Sequence, residues 1–291
     1  MSIFTGACTA LITPFDENGV NTAEFARFIR FQLEGDINAL LVCGTTGEPS
    51  TMTKREKCAA LECALDTVAK RVPVIMGVGG NNTAKVIAEA QNAQKLGADA
   101  LLAVTPYYNK CTQAGLAAHF GALAESVSLP IIIYNVPGRT GLNMLPETYV
   151  KLAGHSNITG VKEASGNMLQ INEIMRIAPN LDVYSGDDGL AVPVMAMGGK
   201  GVISVLSDIV PKYVSDMCAL ALCGETARAA KMQLDALPLI SALFCEVNPI
   251  PAKTAARLMG FNTGNLRLPL TPMAESSEQR LIAEMRAFKL I

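Results

Sequence analysis

The feature that most constrains this chain is a repeated pattern, not a repeated set of residues. Short β-branched or aliphatic runs fall at residues 8–13, 39–44, 74–78, 100–105, 131–135, 158–163, 182–185 and 201–205, and each precedes a longer stretch with apolar residues at helical spacing. They recur every ~20–35 residues, the length of one strand–helix unit. Runs such as Ile131-Ile132-Ile133 are apolar at every position, which marks strands covered on both faces and hence a parallel sheet. Eight such units fill a closed barrel. An open doubly wound sheet is the rival, but no GxGxxG follows the first run. The spacing predicts an α/β fold, a TIM (β/α)8 barrel.

Punctuation supports the intervening helices. Asn21 to Glu24 and Thr53 to Glu56 read as capping boxes, Phe25, Phe28, Ile29 and Leu33 share one helical face, and Gly35 and Gly97 end their helices. After Gly224 the strand pattern stops, and residues 225–246, 249–260 and 275–290 read as helices. The expected organisation is a barrel over residues 1–224 carrying the active site and a C-terminal α-helical domain over 225–291.

Composition removes several classes of function. With Lys+Arg 24 against Asp+Glu 26 and no basic block, nothing suits a phosphate backbone, so no nucleic-acid partner is expected. The longest apolar runs, 100–104 and 130–136, fall short of the ~20 residues a membrane span requires, and residues 1–13 lack a leader pattern. The eight cysteines sit singly with no CxxC pair; Cys43, Cys58, Cys63, Cys218, Cys223 and Cys245 read as reduced core thiols of a cytoplasmic protein. Only two histidines occur, His119 and His155, far apart and outside any HxH or HExxH spacing, so no metal site or histidine-based triad is expected.

In such a barrel, chemistry gathers at the C-terminal ends of the strands. Lys162 stands out because it lies inside a run and shares its face with Gly160 and Ala164, which leave room for a long side chain and a ligand. A lysine buried there loses hydration, and its neutral amine can attack a carbonyl to form a Schiff base; alternatively it is an ion-paired lysine at the barrel rim. Tyr134 ends the neighbouring run, either as a proton donor and acceptor or as an aromatic closing the barrel top. Arg139 follows on a tight turn, suited to a carboxylate or simply solvated. The Gly44-Thr45-Thr46-Gly47 loop offers backbone N–H groups and hydroxyls for a small carboxylate, or is a turn for geometry alone. Gly198-Gly199-Lys200-Gly201 precedes its strand and reads as a structural turn; Asp187-Asp188 reads as a helix cap in preference to a divalent-ion site.

Segments 44–48, 105–109, 134–140, 160–163, 185–188 and 246–251 together, in order and over nearly the whole chain, resemble the dihydrodipicolinate synthase family of pyruvate-dependent class I lyases. The resemblance implies a condensation of pyruvate with L-aspartate-4-semialdehyde in diaminopimelate and lysine biosynthesis. It implies that Lys162 forms the imine, that Tyr134 is the general acid and base, and that Thr46 relays protons to Tyr108, contributed across a subunit interface. Thr45, Thr46, Gly186 and Ile203 would contact pyruvate and Arg139 the semialdehyde carboxylate. The family is usually a homotetramer, a dimer of dimers, with no cofactor or metal beyond the covalent imine. Sibling lyases acting on keto sugar acids use the same lysine and tyrosine, and a barrel that only binds metabolites is the third reading.

One departure stands out. Lysine-inhibited members hold the effector in a cleft at the dimer interface with a glutamate and nearby histidines. Here Lys85 matches that glutamate and Lys54 and Lys57 match the histidines, while Asn81 and Tyr107 remain. Cations there repel an ammonium, so insensitivity to L-lysine is expected.

Overall fold

The structure is a computed structural model that describes residues 2–291; Met1, the first residue of the segment read as lacking a leader, lies outside the described residues. Eight parallel strands close into a barrel: β1 (Gly6–Ala10), β2 (Ala39–Val42), β3 (Val74–Gly77), β4 (Ala100–Val104), β5 (Ile131–Asn135), β6 (Ile158–Glu163), β7 (Asp182–Ser185) and β8 (Gly201–Ser204). Each pairs with its neighbour in sequence, and β1 pairs with both β2 and β8, with Cys8 opposite Ala39 and Ile203. Strand–helix crossovers place α1 (Thr22–Glu34), α2 (Lys54–Val68), α3 (Thr83–Leu96), α4 (Gln113–Ser126), α5 (Pro146–Lys151), α6 (Met168–Ile177), α7 (Ala191–Ala196) and α8 (Pro211–Leu222) around the outside. A two-stranded hairpin, Phe15–Asp16 with Gly19–Val20, sits between β1 and α1.

Two apolar layers follow from this topology. Inside the barrel lie Cys8, Leu41, Ile75, Leu102, Ile132 and Ile203, with Phe4 stacked on Tyr184 at 4.3 Å and closing the amino-terminal end. Outside, the helices bury one stripe each against the strands, as α1 does with Phe25, Phe28 and Ile29. Full burial of such a side chain is worth about 1.5–3 kcal/mol. Leu33, expected on that face, is only half-buried; Gln32 is fully enclosed instead, accepting from Thr9 Oγ1 at 2.7 Å and donating to the Asp208 carbonyl.

Three further helices follow: α9 (Thr226–Leu243), α10 (Ile250–Leu258) and α11 (Glu275–Ala287). Leu239, Leu243, Ala255, Leu281 and Met285 join the same apolar cluster as the barrel's outer layer.

Several local expectations are corrected. The first strand runs over Gly6–Ala10, not 8–13, because Ile12 N–H is taken by the Asp208 carboxylate and Thr13 Oγ1 bonds the Gly47 carbonyl. Thr53 and Glu56 form a complete capping box, whereas Asn21 caps α1 one way only, since Glu24 turns to Arg27 and to Asn262 N–H. Gly201 (φ 154°) is required at the turn before β8: a Cβ there would stand 1.8 Å from the Gly6 carbonyl oxygen. Of the cysteines read as core, only Cys43 and Cys218 are buried; Cys58, Cys63 and Cys245 lie half-buried and Cys223 is exposed, on helix flanks or ends that the barrel does not cover. No helix among the described residues is long and apolar enough to cross a membrane.

Candidate active site

At the C-terminal mouth, β5 and β6 run in register so that Tyr134 stands opposite Lys162 and Asn135 opposite Glu163. Period-two alternation sends the first pair inward and the second outward. The outward pair is locked: Asn135 Nδ2 donates to Glu163 Oε2 at 3.0 Å and to Asn143 Oδ1 at 2.8 Å, and Ser165 N–H donates to Glu163 Oε1 at 2.8 Å. Burial raises the Glu163 carboxyl above its ordinary range, and these donors counter the shift. The strand ends carrying Tyr134 and Lys162 are therefore held from behind.

Lys162 is 5% exposed, with Nζ 4.4 Å from the centroid of the Tyr134 ring. Burial pulls its ammonium down to about 8; the Asp188 carboxylate opposes this and the Arg139 guanidinium adds to it. Burial pushes the Tyr134 phenol up to about 12, so it is a neutral O–H near neutral pH. Gly186 makes the room beside Lys162: a Cβ there would lie 2.7 Å from Ala164 Cβ and 3.1 Å from Lys162 Cε. Ile203 is buried in the same interior cluster as Tyr134.

The loop after β2 supplies the opposite wall. Thr45–Gly47 forms a 3-10 turn that buries Thr46 and leaves Thr45 half-buried. Thr46 Oγ1 accepts from Asn248 Nδ2 at 2.9 Å, and the Asn248 carbonyl accepts from Arg139 at 3.3 Å. Asn248 thus ties two expected site residues together. It lies in a segment already singled out, 246–251, but an asparagine ahead of a proline carries no sequence signal of that task. Arg139 sits exposed on a single helical turn, Pro137–Thr140. Thr45, Tyr107, Arg139 and Thr140 border a cleft of about 270 Å³ that opens to solvent.

Tyr108 is different. Its side chain is 89% exposed and its backbone is left-handed at φ 74°, a conformation costing a non-glycine residue roughly 1–2 kcal/mol. Within one chain it stands outside the cluster formed by Lys162, Tyr134, Thr46 and Arg139. Asp187 caps the next turn through Gly189 N–H as expected, but Asp188 does not: it is buried and its Oδ2 accepts from Val205 and Leu206 N–H, both at 2.9 Å. Of the three substituted lysines, Lys57 is paired with Glu89 at 2.8 Å, a neutralising partner that carries no sequence signal, while Lys54 and Lys85 are exposed.

A (β/α)8 barrel whose mouth sets a buried amine beside a buried phenol defines a class, the barrel enzymes that work on carbonyl compounds. The chain belongs to the dihydrodipicolinate synthetase family, whose model matches residues 3–288. It is 48% identical over 293 residues to the 4-hydroxy-tetrahydrodipicolinate synthase of Thermoanaerobacter sp. (strain X514), covering 100% of this chain and 99% of that one. Among solved structures it is similar to the dihydrodipicolinate synthase of Thermotoga maritima, with TM-score 0.97, 40% identity and 100% of both chains covered. It is also similar to that of Cyanidioschyzon merolae with lysine bound, with TM-score 0.96, 40% identity and 100% of both chains covered.

Proposed function

We propose that the chain is a lyase that condenses pyruvate with L-aspartate-4-semialdehyde, the 4-hydroxy-tetrahydrodipicolinate synthase reaction of diaminopimelate and lysine biosynthesis, in the cytoplasm. The observation that carries the mechanism is the in-register Tyr134 and Lys162, an amine lowered to about 8 lying 4.4 Å from the ring of a protonated phenol. The neutral Lys162 amine attacks the pyruvate ketone, and loss of water leaves a protonated imine. That cation acidifies the methyl group, whose proton departs to give an enamine; the enamine carbon then bonds to the aldehyde carbon, which restores an imine on Lys162, and the semialdehyde's own amine adds to that imine carbon and displaces the lysine, closing the ring and freeing the enzyme. Tyr134 donates and recovers the protons, and Thr46 links it to Tyr108 of a second subunit in a homotetramer. Thr45, Thr46, Gly186 and Ile203 hold pyruvate, and Arg139 holds the semialdehyde carboxylate. No cofactor or metal beyond the covalent imine is needed. The barrel, residues 1–224, carries this chemistry, and the helical domain over 225–291 braces it, a bracing supported by the hold of Asn248 on Thr46.

Borohydride reduction in the presence of pyruvate, followed by peptide mass mapping, tests the mechanism. A pyruvate adduct on Lys162 is expected; an adduct elsewhere, or none, overturns it. Aspartate semialdehyde is expected to turn over faster than sugar-derived aldehydes.

The three substituted lysines support weak control by L-lysine. Lys54 and Lys85 remain free cations there, and even with Lys57 neutralised by Glu89 the cleft does not favour another ammonium. Steady-state rates with millimolar L-lysine are expected to match those without it, and strong inhibition would count against this reading.

A further inference from the structure

Glu48 directly follows the Thr45–Gly47 turn and takes a left-handed backbone at φ 55° although it is not glycine. Its carboxylate is enclosed and fully engaged. Oε1 accepts from Lys253 Nζ at 2.8 Å and Oε2 accepts from Arg267 N–H at 3.1 Å. The two charged side chains are 1% and 2% exposed, so this ion pair has left water completely. Lys253 is satisfied in turn by the Asn265 carbonyl at 3.4 Å and by the face of Phe15, 4.5 Å from its centroid.

A dry ion pair is a poor means of gaining stability, because well-packed apolar side chains serve as well without the desolvation cost. It does supply direction. Lys253 lies on α10, and Asn248, which binds Thr46 Oγ1, lies just ahead of the same helix. One helix and its approach therefore grip the Thr45–Glu48 loop at two points, the Thr46 hydroxyl itself and the Glu48 carboxylate two residues further on. Thr13 Oγ1 holds the Gly47 carbonyl at 2.9 Å from a third direction. Sliding the loop would lengthen these bonds together.

We propose that Glu48 and Lys253 are positioning residues for the condensation, their buried ion pair fixing Thr46 Oγ1 against Tyr134 from the C-terminal helices. This rests on the reaction proposed above, with Thr46 in the proton path. Removing both charges at once, Glu48→Gln with Lys253→Met, leaves no unpaired buried ion and similar volume. The expected result is a folded enzyme that still forms the borohydride-trapped imine on Lys162. Its kcat falls roughly tenfold or more, a larger change than that in KM for pyruvate, which Thr45, Gly186 and Ile203 also hold. In a Thr46→Val background the same double change is expected to add little further loss, since both act through one hydroxyl.

An unchanged kcat overturns the proposal, as does a loss that simply multiplies with that of Thr46→Val. Absence of the imine in the parent enzyme overturns the reaction itself, so the two failures are told apart. If the double variant does not fold, Lys253→Arg is read in the same way, since it keeps the charge but not the place at which the carboxylate is held.

Discussion

Lys162 shows what one residue's surroundings do to its chemistry. A free lysine is almost wholly protonated at neutral pH and a poor nucleophile; burial among Ala164, Gly186 and Tyr134 brings its midpoint to about 8. The sign is direct: the neutral amine is the attacking form, so its fraction grows as pH rises through that value. The rate of imine formation with pyruvate is expected to climb about tenfold per unit below pH 8 and to level off above it. Stopped-flow or quench trapping across pH 6–10 checks this, and a flat profile would contradict a lowered amine. The lysine was legible in the sequence because period-two alternation placed it with two small residues on one strand face. Gly186 was reached only through the resemblance, and Asn248 not at all as a site residue, because both owe their positions to packing between segments far apart in the chain, which no local pattern records.

Element boundaries shift where side chains compete with the backbone. Strand β1 stops short because Asp208 and Gly47 take its next polar groups, while α2 begins where its capping box predicts. Glu56 in that box also receives Arg267, from the loop beyond α10, and this hydrogen-bonded guanidinium holds its carboxyl down to about 2. A lowered carboxyl contributes stability above its unfolded value, near 4.5, and loses it as pH falls towards 2. Glu56→Gln is therefore expected to destabilise the protein by about 1–2 kcal/mol at pH 7. The gap to the parent should close progressively between pH 4.5 and pH 2 in denaturant melts. A gap independent of pH would mean that the amide loses only packing.

At the scale of the whole molecule, the barrel was legible because eight apolar runs at unit spacing admit few closed topologies; any surface for a second copy was not, since an exposed patch carries no periodicity. Tyr108 is where this bears on chemistry. A strained backbone holding a tyrosine 89% exposed suits a side chain completed by a neighbouring copy. If Tyr108 serves the partner's site, chains carrying Lys162→Ala and chains carrying Tyr108→Phe complement each other when mixed and reassembled. In a hybrid pair, one site combines an intact Lys162 with an intact Tyr108 from the opposite chain, while the other site has lost both. Half of the hybrid's sites should then run at the parent rate, well above either variant alone. If Tyr108 served its own chain, every site in the hybrid would keep one lesion and mixing would restore nothing. Steady-state assay of the mixture against the separate variants, at equal total protein, distinguishes the two arrangements.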